Sequence, residues 1–371
     1  MNRERLERAL AIAGKELLSL RRDPKLLRLV FVSPIIQLMI FGYAVSTDVR
    51  HTRTFVVDHD RTAASRALLE SLTSSGYFRI VGASDRPRDL VAALDGGRAI
   101  VGVQIPAGYA AALASPAGAD VQVLVDGTNS NVAAVALGYA EQILRTHGYA
   151  RAAVTLRPPV DLRERAWYNP ALLSRIFNVP AVIGSIMLLL SLLLTALAVV
   201  RERELGTLEQ LMVSPLTPAE LIVGKTLPFA AIALFDMALI TGIALFWFHV
   251  PFTGNFLLLL AAAILFLLSS LGLGLLISTV SATQQEAFLG AFLVFMPTLL
   301  LSGFMFPVSS MPKIFQWLTL LNPLRHYLEI VRAVFLKAAG FEALWFQFAA
   351  LFVMGTTVVF VAAGRFRKTV A

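Results

Sequence analysis

Six stretches of this chain are apolar over about twenty residues or more: roughly Leu26–Ser46, Ile176–Val200, Thr226–Phe248, Asn255–Thr279, Glu286–Phe306 and Ala343–Ala363. A bilayer core of about 30 Å takes roughly 20 apolar residues as a helix. Acidic residues in these stretches are confined to Glu286, at the start of the fifth, and Asp236, near the middle of the third. A soluble helix this long with no polar stripe would turn an apolar face to water. The reading is therefore six membrane spans. Composition agrees: 57 % of the 371 residues are apolar and 15 % charged, against about 45–50 % and about 25 % in soluble chains. Disordered, collagen-like and disulfide-built chains are excluded, and the composition argues against one large water-soluble domain. With no cysteine at all, a structural Cys–zinc site, an Fe–S cluster and thiol catalysis are excluded too.

Basic residues in short flanks set orientation. Arg3, Arg5, Arg8, Lys15, Arg21, Arg22, Lys25 and Arg28 precede or open the first span. Arg201 and Arg203 follow the second, and Arg365, Arg367 and Lys368 follow the sixth. Six spans put all three groups on one side, the cytoplasmic one, with both termini there. The net charge of +8 is then topology signal and surface charge, not the basic face of a nucleic-acid binder. Segment 307–342 strains the rule, because it falls outside yet holds Lys313, Arg325, Arg332 and Lys337. Trp167, Trp247, Trp317 and Trp345 all fall near the outer interface, where amphipathic rings sit. Ahead of the first span, Leu6, Leu10, Ala13, Leu17 and Leu20 recur in steps of four and three. This predicts an amphipathic helix over 1–25 that lies along the inner interface, with its basic groups near lipid phosphates. Asp23-Pro24 reads as a cap and a first helical position that restart the chain as the span at 26–46.

Between the first two spans, over 47–173, the periodicity changes. Strands are predicted at Phe55–Asp58, Tyr77–Val81, Ala99–Ile105 and Val121–Val125, with a fifth at Val154–Val160. Helices are predicted at Thr62–Thr73, Asp89–Leu94, from Pro106, and from Thr128 or Asn129 to about Arg145. Strands alternating with helices predict an α/β layer domain. Its histidines are His51, His59 and His147, and strand alternation turns His59 away from Asp58 and Asp60. Asp126-Gly127-Thr128-Asn129 reads as a turn and helix cap. The domain reads as a binding or gating module.

The inner loop over 201–219 holds two capping boxes, Thr207 with Gln210 and Thr217 with Glu220, the second with Pro218 at its first position. Gly206 ends the helix before it, and Ser214-Pro215 ends the short helix between. A stiff, charged helix between two spans is what a partner can push on. Beyond it, Ala219-Glu220-Leu221-Ile222-Val223-Gly224-Lys225-Thr226 falls one glycine short of a phosphate loop. A phosphate loop follows a buried strand and opens a helix in a soluble domain. Here Thr217 has already started a helix that enters the membrane, so Lys225 reads as an interfacial anchor. Asp236, about ten residues into the third span, costs roughly 2.5–3.5 kcal/mol on insertion scales and should face another helix or a wet cavity. It reads as an interhelical hydrogen bond or as an intramembrane polar site for substrate or protons.

Glu202, Glu204, Gly206, Thr207, Glu209 and Leu211, as Glu-x-Glu-x-Gly-Thr-x-Glu-x-Leu, resemble the inner loop of type-two ABC exporter permeases. Leu301-Ser302-Gly303-Phe304-Met305-Phe306-Pro307, Met311-Pro312, Asn322-Pro323-Leu324-Arg325-His326-Tyr327 and Trp167-Tyr168-Asn169-Pro170 fit as well. The resemblance covers nearly the whole chain and is closest to the multidrug-type subgroup with a large outer domain between the first two spans. It implies an all-α polytopic membrane domain of six transmembrane helices with an inserted α/β extracytoplasmic domain, in a bacterial inner membrane. It further implies a dimer with a second copy or a paralogue, each permease resting on a separate ATP-binding subunit. This chain would bind no cofactor, and ATP and Mg would sit on that partner. The N-terminal helix and the 202–211 segment would be the contacts. Segment 307–341, with Asn322, Pro323, Arg325 and Tyr327, would form short re-entrant helices capping the exit. A periplasmic adaptor is a further implied partner. The substrate expected is hydrophobic or amphipathic, with drugs, lipids and glycolipids all admissible. Two other readings remain in play: a membrane-anchored receptor or assembly scaffold with an outer sensing domain, and a proton-coupled carrier using Asp236.

Overall fold

The structure is a computed structural model that describes residues 3–44, 51–115, 118–151, 167–169, 173–206 and 217–370. The chain divides into two compact units, residues 47–165 and residues 1–46 with 166–371.

The smaller unit carries β1 (Thr52–Asp58), α3 (Ala63–Ser74), β2 (Phe78–Ser84), α4 (Pro87–Asp95), β3 (Val101–Ile105), α5 (Tyr109–Leu113), β4 (Gln122–Val125) and α6 (Ser130–Arg151). Its sheet runs β2-β1-β3-β4. Strand β1 lies parallel to β2 and β3, and β4 closes the other edge antiparallel to β3. Parallel neighbours need helical crossovers, which α3 and α4 supply. Thr62 caps α3 with its hydroxyl, accepting from the Ala64 and Ser65 amides. Leu68, Leu72, Phe78, Val101, Val103 and Ile105 form the main core of this unit. The fifth strand expected at 154–160 lies outside the described residues.

The larger unit is helical: α1 (Arg3–Arg22), α2 (Pro24–Met39, continued by a π turn over Ile40–Ala44), α7 (Ser174–Glu204), α8 (Pro218–Phe246), α9 (Phe256–Val280), α10 (Gln284–Leu300), α11 (Lys313–Thr319), α12 (Pro323–Lys337) and α13 (Phe341–Val370). Within these, Ser174–Glu204, Glu220–Phe246, Phe256–Val280 and Phe341–Arg365 are long and apolar enough to cross a membrane. The two other expected spans are shorter as helices. The first is apolar over Val30–Tyr43. The fifth stops at Leu300, just after Pro297, and Gly303 then takes a left-handed φ of 80°. Helix α7 is the hub: 83 % of its apolar window is buried, against 22 % for α13 at the rim. It packs against α8, α9, α10 and α12. Gly184 permits the α12 contact, because a Cβ there would fall 2.8 Å from Leu328 Cδ2 and 3.1 Å from the Tyr327 ring.

Candidate functional site

Helices α1, α7, α8 and α10 are tied together at one end of the helical unit by ions and amides. Lys225, on the second turn of α8, has a side chain only 3 % exposed, and its Nζ lies 2.8 Å from Glu16 Oε1 and 3.4 Å from Glu202 Oε1. Both carboxylates are themselves nearly covered, at 14 % and 12 %. Glu202 also takes Lys15 at 3.2 Å, and Lys225 donates to the Ala198 carbonyl at 3.4 Å. One helix turn earlier Glu220 closes the capping box: its carboxylate accepts from the Thr217 amide at 2.8 Å, while Thr217 Oγ1 accepts from the Glu220 amide at 3.4 Å. The other Glu220 oxygen takes Arg8 at 3.2 Å and Arg5 at 3.9 Å. Glu204 accepts from the Gln284 amide at 2.7 Å and from its side chain, and Arg203 donates to the Ser281 carbonyl at 2.7 Å. Buried charges persist only when paired, and here every buried charge of this cluster has a partner on another helix.

These contacts revise one expectation. Lys225 is not an anchor reaching out to the interface but the buried centre of a three-helix ion cluster. The Ala219–Thr226 stretch is part of helix α8, as the Thr217 cap predicts, and not a loop that could cradle phosphate. The face of α1 that meets α8 is not its leucine stripe. It presents Arg5, Arg8, Ala9, Ile12 and Glu16, whereas Leu10 and Leu17 are about half exposed. Two of the basic groups expected at lipid phosphates, Arg5 and Arg8, thus bind Glu220. Gly224 sets how closely the helices approach, since a Cβ there would lie 2.7 Å from Ile12 Cβ and 2.9 Å from the Ala9 carbonyl oxygen.

Of the six loop residues singled out in the sequence, Glu202 and Glu204 are engaged within the chain as just described. Gly206 takes a left-handed φ of 69° and ends α7. Thr207, Glu209 and Leu211 lie outside the described residues, as does the Thr207–Gln210 capping box. Leu205 is left 65 % exposed at the tip. Asp236 is fully buried on α8, and neither carboxylate oxygen has a hydrogen-bond partner among the described residues. The interhelical hydrogen bond expected for it is not made among the described residues.

Segment 307–341 folds as a 3₁₀ turn at Val308–Ser310, then α11 and α12. Asn322 caps α12 through the Leu324 amide at 3.0 Å and ties it to α10 by donating to the Thr298 carbonyl at 2.7 Å. Pro323 holds the first helical position. Arg325 donates to the Thr319 hydroxyl and to the Gln316 carbonyl and pairs with Glu329 at 3.2 Å. Tyr327 is fully buried, stacked on Phe266 with ring centroids 4.6 Å apart, its hydroxyl 3.3 Å from Met187 Sδ. Sequence reasoning missed Arg332, which donates to the Gly303 carbonyl at 3.0 Å and lies 3.7 Å above the Phe177 ring. Two of the four basic residues that strain the positive-inside rule, Arg325 and Arg332, are thus bound to carbonyls, a hydroxyl, a carboxylate and a ring.

In the smaller unit, Asp58 accepts from the Asp60 and Arg61 amides, both at 3.0 Å, and from Ser65 Oγ at 2.7 Å. His59 turns away and donates to the Asp85 carbonyl at 2.9 Å. Arg61 donates to the Asp85 carboxylate and holds it below the usual carboxylate range. Asp126 accepts from the Thr128 hydroxyl at 2.7 Å and amide at 3.0 Å, which lowers its pKa, while Asn129 accepts from the Val132 amide at 3.2 Å. That stretch is a turn and helix cap, as its residues suggest.

A helical body with four helices long and apolar enough to cross a membrane, tied together at its charged end, is the architecture of a polytopic membrane protein. The chain belongs to the ABC-2 family: it matches the family described as ABC-2 family transporter protein over residues 25–364. It is 34 % identical over 359 residues to the probable multidrug ABC transporter permease YbhR of Escherichia coli K12, covering 96 % of this chain and 97 % of that one. It is 33 % identical over 359 residues to the probable multidrug ABC transporter permease YbhS of the same strain, covering 95 % and 94 %. To the inner membrane transport permease YhhJ of that strain it is 29 % identical over 367 residues, covering 96 % of each. Members of this family are membrane subunits, and the ATPase is a separate subunit.

Proposed function

We propose that this chain is the permease half of an exporter that carries a hydrophobic or amphipathic substrate, drug-like or lipid-like, out of the cytoplasm or the inner leaflet. In this reading the chain makes six spans, four of them helices long and apolar enough to cross a membrane, with both termini and the 201–219 loop on the cytoplasmic side and the 47–173 segment outside. The ATP-binding subunit docks on α1 and on the 202–211 segment, with ATP and Mg held on that subunit. The functional unit pairs this permease with a second copy or a paralogue, and a periplasmic adaptor can extend it.

The observation that carries this reading is the Glu16–Lys225–Glu202 cluster with its Glu220–Arg8 neighbour. A force applied at the loop after α7 is transmitted at once to α1 and α8, because their charges cannot separate without leaving one buried and unpaired. A receptor or scaffold has no need of such a clamp. The test is reconstitution of the permease in vesicles with and without its ATP-binding subunit. Outward movement of an amphipathic dye that needs both proteins and ATP is the expected result. Energised movement by the permease alone overturns the proposal.

A further inference from the structure

Beside the ion cluster lies a cavity of about 340 Å³ walled by α1, α7, α8 and the first residue of α10. That volume falls in the range of small-molecule sites, which join an apolar lining to a few placed polar groups. Leu194, Leu197 and Phe229 make an apolar wall, and Glu16 and Arg201 bring charge of both signs to the same space. Two groups there have bonding capacity left. Glu16 uses Oε1 for Lys225, and its Oε2 has no partner among the described residues. Arg201 makes no side-chain hydrogen bond or ion pair among the described residues.

We propose that this cavity binds the headgroup of a zwitterionic phospholipid of the inner leaflet that carries a primary ammonium, the phosphatidylethanolamine class. Arg201 takes the phosphate, as a guanidinium fork does. Glu16 Oε2 accepts from the ammonium, and the glycerol end lies along Leu194, Leu197 and Phe229. An anionic headgroup would set its charge against Glu16 and Glu202, and a cationic amphiphile would set its charge against Arg201 and Lys15. Only a ligand with both charges satisfies both walls. The site lies at the charged end of the spans, beside a helix whose Leu10 and Leu17 remain exposed, which is where a headgroup is found. This inference rests on the proposed membrane placement of α1 but not on any transported substrate.

The chain contains no cysteine, so Ser19→Cys, on the cavity wall, gives a unique reporter. The assembled transporter carrying it is placed in nanodiscs of phosphatidylethanolamine, phosphatidylcholine or phosphatidylglycerol, and its rate of labelling by a maleimide is measured. Labelling at least fivefold slower in phosphatidylethanolamine than in the other two is expected, with the difference lost on Arg201→Gln. Equal rates in all three lipids overturn the proposal. So does equal protection by phosphatidylglycerol, or protection that survives Arg201→Gln. Native mass spectrometry of lipid retained by the unlabelled wild-type complex gives a second reading that needs no variant. Preferential retention of phosphatidylethanolamine supports the site, and no preference overturns it. Because neither readout involves transport, failure here is distinct from failure of the exporter assignment.

Discussion

Replacing Lys225 by methionine removes the one cation that Glu16 and Glu202 share. The Lys225 side chain is 3 % exposed and the two carboxylates 14 % and 12 %, so water restores only part of what is lost. Breaking a buried pair by removing one partner costs about 3–5 kcal/mol. Lys15 still reaches Glu202 at 3.2 Å, which places the cost near the lower end, about 3 kcal/mol. At about 1.4 kcal/mol per factor of ten, the equilibrium for lifting α1 from α8 shifts roughly a hundredfold. Hydrogen exchange at the α1 amides of the purified complex measures that opening. A cluster neutralised in its core, Lys225→Met with Glu16→Gln and Glu202→Gln, strands no buried charge, since Lys15 is 59 % exposed, and should exchange within about tenfold of wild type. Wild-type protection in the single variant, or a triple variant as labile as the single one, would refute the clamp.

Gly224→Ala gains about 1 kcal/mol of helix propensity but drives a methyl into Ile12 and the Ala9 carbonyl, an overpacking cost of about 1–3 kcal/mol. The melting temperature in detergent should fall, and a rise would contradict the close approach of α1. Tyr327→Ala empties the stack on Phe266 and should cost about 3–5 kcal/mol. Tyr327→Phe keeps the ring and should cost under about 1.5 kcal/mol; equal losses in thermal unfolding would show that the hydroxyl, not the ring, holds α12. Asp236→Leu removes a buried carboxylate that has no partner among the described residues and should raise the melting temperature. A lower value would reveal a pairing at that site. Transport by Asp236→Asn should match wild type from pH 6 to 8, and a lost pH response would favour the proton-coupled reading.

Local chemistry was legible where neighbours in sequence settle it. Asp23-Pro24 restarts the helix, with the Leu27 amide on the Asp23 carbonyl at 3.0 Å. Thr217 caps the helix that follows it, with Glu220 closing the expected box. The alternation of strand and helix over 52–151 follows the apolar pattern. The partners of Glu220 and Lys225 were not legible, because Arg8 and Glu16 stand 212 and 209 residues away in sequence. The α1 face that packs against α8 was not legible for a related reason. Its leucine stripe is the most apolar side, yet in a membrane protein lipid can cover leucines, so packing inside the protein fell to the small and charged side. The end of the fifth apolar stretch was masked by its continued hydrophobicity: Leu301 to Phe306 read as span, but Pro297 and the turn at Gly303 end the helix first.

The central claim is that the tip after α7 faces the cytoplasm and receives the stroke of a separate ATPase. Leu205→Cys, in a chain otherwise free of cysteine, tests it with a membrane-impermeant maleimide. The label should enter in inverted inner-membrane vesicles and not in intact cells, and bound ATP-binding subunit should block it. Labelling from outside intact cells, or labelling unaffected by that subunit, would contradict the account.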